Sequence, residues 1–164
     1  MGLDQYMYIT KEPLEEEYYE VLGEATENEY GDVFYDEESI LTEIAYFRKS
    51  NWLHGYFDRF CESKTGHGIG NCEYFIFSQE DLINFLDVCR EVVECDSIAI
   101  AEEMLPPESG FFFGSTAIDD YYFEDVQDAI NALKEYEEDD NQYAYYAWWW
   151  YDETKSHNYR KNKW

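Results

Sequence analysis

Apolar positions recur along the chain with two different periods. Leu3 to Thr10 is aromatic and β-prone, with Tyr6 and Tyr8 two apart, and predicts a first strand. Glu12 to Tyr35 is Glu-rich and punctuated by Gly23 and Gly31, which predicts a hairpin or excursion with short strands near Tyr18–Leu22 and Val33–Tyr35. From Ser39 to Phe60, Ile40, Ile44 and Phe47 recur at helical spacing with no proline, so this stretch predicts the first long helix. The glycines at 66, 68 and 70 then make a loop, and Glu73 to Phe77 reads as a strand.

Ser78 followed by Asp81 is a capping-box variant that opens a second helix, with Leu82, Leu86, Cys89 and Val93 on one stripe. Ile98 to Met104 is a short helical piece stopped by Pro106 and Pro107. Gly110 to Thr116 reads as an apolar turn or strand, and a third long helix runs from about Asp119 to Glu137. Tyr143 to Tyr151 is almost continuously aromatic or alanine, which suits a central strand buried on both faces. The fold class is therefore α+β, an antiparallel sheet of about three to five strands packed with about three helices.

Composition changes the picture through charge. The 164 residues carry 38 acids against 11 Lys and Arg, a formal net charge of −27, yet 20% are aromatic. That apolar content is too high for a disordered acidic tail, so the reading is one acidic domain over 1–153. Within it, residues 12–38 form a Glu-rich excursion, and 154–164 is a tail that reverses the sign with Lys155, Arg160, Lys161 and Lys163. Repulsion on this scale opposes compaction and asks for a compensating role, such as solubility or engagement of cations. Direct nucleic-acid binding is disfavoured, because such proteins present positive patches. No apolar run reaches membrane-spanning length and no signal pattern is present, which points to a cytoplasmic site and reduced cysteines at 61, 72, 89 and 95.

The helix from Asp119 carries the sharpest chemical signal. Phe123, Val126, Ile130 and Leu133 cluster on one side, while Asp120, Glu124, Asp128 and Glu135, with Asp125 beside them, form an acidic face. Four residues of helix rise about 6 Å, comparable to the separation of successive phosphates on one strand. Such a row suits a protein groove built for a phosphodiester backbone; a plain solvated face is the alternative. Glu15, Glu16 and Glu17 offer a second acidic row or a solvated loop.

Arg48, Asn51 and His54, with Ser109 and Ser115, are candidates for a small-molecule pocket or for a buried hydrogen-bonded network. The serines lack convincing His and Asp partners and no GxSxG elbow is present, so no catalytic residue is assigned and an enzyme is not favoured. Cys61, His67 and Cys72 have no zinc-site spacing. No metal or cofactor is expected.

Several stretches together resemble a family of small accessory proteins encoded by tailed bacteriophages and prophages. They are Met1-Gly-Leu-Asp4 with Tyr6 and Tyr8, Ile44 to Asn51 with His54, Leu105-Pro106, Ser109-Gly-Phe-Phe-Phe-Gly-Ser-Thr116, and Asp120 to Asp125. Segments 12–38 and the tail after Tyr151 look particular to this member. The resemblance implies a compact α+β protein and supplies no catalytic residues. By analogy with phage proteins of this size and acidity, it suggests an anti-defence inhibitor of the anti-CRISPR or anti-restriction type. The expected partner is a basic host defence protein, a Cas effector or a restriction enzyme, met in the cytoplasm of the infected bacterium. Two other classes stand beside this one: a pocket protein that binds or degrades a small molecule or nucleotide, and a self-associating assembly factor.

Overall fold

The structure, a computed structural model, describes residues 2–10, 20–22, 26–27, 33–34, 40–110 and 112–150. It is an α+β fold. Strand β1 (Gly2–Thr10) is followed by three short strands, β2 (Glu20–Leu22), β3 (Thr26–Glu27) and β4 (Val33–Phe34), and by the long β5 (Ile40–Arg48). Helix α1 (Asn51–Thr65) leads to β6 (Glu73–Phe77), then α2 (Gln79–Cys95) and the short α3 (Ile98–Met104). Helix α4 (Asp120–Leu133) tightens into a 3-10 turn over Lys134–Glu138 before the last strand, β7 (Tyr143–Trp150).

The strands form one sheet in the order β2-β6-β7-β1-β5-β4-β3, antiparallel throughout. Four of them have five residues or more, and the short strands extend the sheet at both ends. β7 lies between β6 and β1, and Tyr143 to Trp148 are all buried. Its aromatic run therefore serves both faces: Tyr143, Tyr145 and Ala147 pack towards the helices, while Ala144, Tyr146 and Trp148 join Tyr8, Leu41, Tyr74 and Ile76 on the other side.

β2 and β3 stand at opposite ends of the sheet order, yet only residues 23–25 separate them. Leu22 and Thr26 are thus at most about 15 Å apart, whereas the strand spacings of a flat sheet this wide would add to roughly 29 Å. The sheet must curl until its edges approach. Helices α1, α2 and α4 pack on one face of the sheet, and the second aromatic cluster lies on the other.

One expectation is overturned. Ser39 to Phe60 is not a helix: residues 40–48 are strand β5, and α1 starts only at Asn51. The register explains the false signal, because Met7 pairs with Ala45 and Tyr8 with Glu43, leaving Ile44 as an extra residue in a bulge. A bulge shifts the alternation by one, so an apolar series of period two reads locally as i, i+4, i+7. Elsewhere the pattern was informative. Ser78 and Asp81 form a full capping box, with Asp81 N–H donating to the Ser78 hydroxyl and Ser78 N–H to Asp81 Oδ2 at 3.0 Å. Residues 112–116 are turn and irregular backbone rather than a strand, with Phe113 N–H donating to the Gly110 carbonyl at 3.1 Å.

Candidate functional site

The turn between β5 and α1 and the start of α4 enclose a cleft of about 450 Å³. Asp119, Glu124, Asp125 and Asp128 of the α4 segment line it together with Lys49 and Asn51 from the β5–α1 turn, and Trp52 and Tyr122 supply aromatic lining. Asp119 is the N-cap of α4, accepting Tyr122 N–H at 3.1 Å. Val126, Ala129, Ile130 and Leu133 are buried, which turns Glu124 and Asp128, one helical turn apart, outward to the cleft. Tyr121 stands at its edge and is 80% exposed.

Trp52 sets the geometry of the cleft floor. Only 2% exposed, it stacks on Phe85 at 6.2 Å between ring centroids and meets the Tyr122 ring edge-on at 6.3 Å. Its indole N–H donates to Asp125 Oδ2 at 2.8 Å. One carboxylate oxygen is thereby fixed by a core residue, and the group holds its orientation at little further entropic cost.

The rest of the lining is held from α1. Asn51 Nδ2 donates to the Phe113 carbonyl at 3.0 Å and the Ser115 carbonyl at 2.8 Å. One turn on, His54 is 3% exposed and has its Nδ1 2.8 Å from the Tyr145 hydroxyl. The Phe113 and Trp149 rings meet its imidazole edge-on at 5.2 Å and 5.5 Å. Gln5 completes the network: its Nε2 donates to the Ser50 carbonyl at 2.8 Å and to the Tyr145 oxygen at 3.1 Å, and its Oε1 accepts Ser50 N–H at 2.9 Å. Burial lowers the His54 pKa from 6.5 to about 4, against the opposing pull of Asp58. Burial likewise pushes the Glu108 carboxyl and the Tyr145 hydroxyl upward.

The acidic candidates divide. Glu124, Asp125 and Asp128 converge on the cleft; Asp120 is exposed at the first residue of α4, and Glu135 is exposed on the 3-10 turn beyond it. Glu15, Glu16 and Glu17, the basic tail 154–164 and Phe111 lie outside the described residues. Of the pocket candidates, Asn51 and Ser115 both line the cleft. Asn51 and His54 are engaged in holding the loop, while Arg48 and Ser109 are exposed. Lys49, Trp52, Asp119, Tyr121 and Tyr122 were missed as site residues. Only Asp119 carried a signal, as an Asp just ahead of a helical stripe.

Among the described residues no three His, Cys, Asp or Glu side chains are grouped to hold a metal ion. Cys61 and Cys72 are buried and His67 is exposed. No helix of the described residues is long and apolar enough to cross a membrane. No protein-family model matches the chain, and no curated protein or solved structure does either.

With 38 acids against 11 bases, folding gathers like charges. The melting temperature is expected to rise as salt is added from low ionic strength, where exposed charges interact over about 30 Å, to 1 M, where the range is about 3 Å. A melting temperature flat across that range would contradict a self-repelling surface.

Proposed function

We propose that the chain is a binding protein, not a catalyst, and that it presents α4 and its cleft to the basic surface of another protein, in the position that nucleic-acid phosphates otherwise take. The observation that carries this reading is the convergence of Asp119, Glu124, Asp125 and Asp128 on one cleft, where Lys49 is the single basic residue of the lining among the described residues. The exposed Tyr121 beside those carboxylates gives a cationic side chain an apolar surface as well as a counter-charge. A net charge of −27 would steer the encounter and make it fast and salt-sensitive. By analogy with acidic phage accessory proteins of this size, the proposed target is a basic host defence protein, either a Cas effector or a restriction enzyme, inhibited in the infected cell.

Affinity capture from a bacterial host lysate tests the proposal. The expected catch is a basic, nucleic-acid-binding defence protein that elutes as salt is raised and is displaced by added DNA or RNA. A partner that stays bound at high salt and is indifferent to nucleic acid would overturn it.

A further inference from the structure

We propose that His54 is an acid-operated latch: with its imidazole neutral, the loop that carries residues 108–110 and 112–116 is seated as one wall of the cleft, and proton uptake by His54 releases it.

The geometry carries this inference through the count of donors. Gln5 Oε1 accepts Ser50 N–H, which fixes the orientation of the amide and commits the two Nε2 protons to the Ser50 carbonyl and the Tyr145 oxygen. Tyr145 is wholly buried and already accepts from Gln5, so its own proton is directed at His54 Nδ1, 2.8 Å away. That arrangement requires a neutral imidazole with its proton on Nε2. A second proton, on Nδ1, would face the Tyr145 hydroxyl donor to donor. The hydroxyl would then have to turn away and give up the acceptor it now has. A buried donor without a partner is costly, so the protonated state favours an arrangement in which the ring reaches water.

What must move for that is the loop. Phe113 and Trp149 close over the imidazole, and the Phe113 and Ser115 carbonyls are tied to Asn51 on the same helix. The ionisable groups around His54 are Asp58 and Arg59 on α1, Glu108 on the loop and Tyr145 on β7. Asp58 favours the proton but is outweighed by burial, and its Oδ1 is occupied by the Ile69 N–H at 2.8 Å. The sign follows from the depressed pKa. What His54 contributes to the seated loop is complete above 6.5 and drains as the pH falls towards about 4.

Nuclear magnetic resonance on the full chain from pH 7 to pH 4 tests the latch, following the His54 ring shifts together with amide exchange across 112–116. The expected result is one midpoint for ring protonation and loop opening. Each unit of depressed pKa is a factor of ten in the closed-to-open ratio, so protection of the loop amides, measured against the exchange of an unstructured amide at the same pH, should fall by on the order of a hundred-fold while that of α2 and β7 holds. In His54→Gln the loop should show no such loss of protection, while Glu108→Gln and Asp58→Asn should keep it. A His54 ring that stays neutral while the loop opens, a loop that stays closed around a protonated ring, or a His54→Gln loop that opens as in the wild type would each overturn the proposal. If His54→Gln does not fold, the coincidence or separation of the two wild-type midpoints decides.

Discussion

Reversing Asp120, Glu124 and Asp128 to Lys is expected to abolish partner binding while the fold survives. All three side chains are exposed, on the side of α4 away from the buried Val126, Ala129, Ile130 and Leu133. Asp119 and its N-cap bond to Tyr122 are untouched. A lysine at the first residue of α4 opposes the helix dipole by about 0.3–1 kcal/mol, which a folded domain tolerates. At the interface each attraction becomes a repulsion, and like-charge juxtaposition costs several kcal/mol. At about 1.4 kcal/mol per factor of ten, the affinity should fall by about a thousand-fold or more. Circular dichroism with a binding titration checks both halves. A folded triple variant that binds within a few-fold of wild type would remove α4 from the interface.

Trp52→Ala is the substitution expected to damage the domain most directly. A large aromatic cut to a methyl at a buried site costs about 3–5 kcal/mol, and Trp52 is packed between Phe85 and Tyr122. Trp52→Phe separates packing from chemistry. It keeps an aromatic ring between those partners but removes the N–H that fixes Asp125 Oδ2. Its stability should drop much less than that of the alanine variant, while partner binding weakens because Asp125 is no longer held in place. Denaturant unfolding of the two variants gives the comparison. A Trp52→Ala loss below about 1 kcal/mol would contradict the anchoring role.

The legible parts of the fold were those whose signal is local. The Ser78/Asp81 box, the proline stop after Met104 and the aromatic run of β7 each depend on neighbours a few residues away, and each was read in place. β5 was misread because its bulge at Ile44 is set by the partner strand β1, which the sequence of residues 40–48 does not contain. The acidic face of α4 was visible from its period. The cleft was not, because it depends on Trp52 reaching Asp125 across 73 residues and on Asn51 gripping a loop more than 60 residues away. Asn51 and His54 stood out as polar groups among apolar neighbours. The structure ties both into a hydrogen-bonded network that positions the loop, and Asn51 also lines the cleft.

Competition between nucleic acid and this chain for a captured target tests most directly the claim that carboxylates here take the place of phosphates. With the target held at fixed concentration, increasing DNA or RNA should displace the chain in a one-for-one manner. The chain's own affinity should decline steeply and linearly in log salt, as phosphate-like contacts do. A complex in which the target holds nucleic acid and this chain at once, with neither weakening the other, would contradict it.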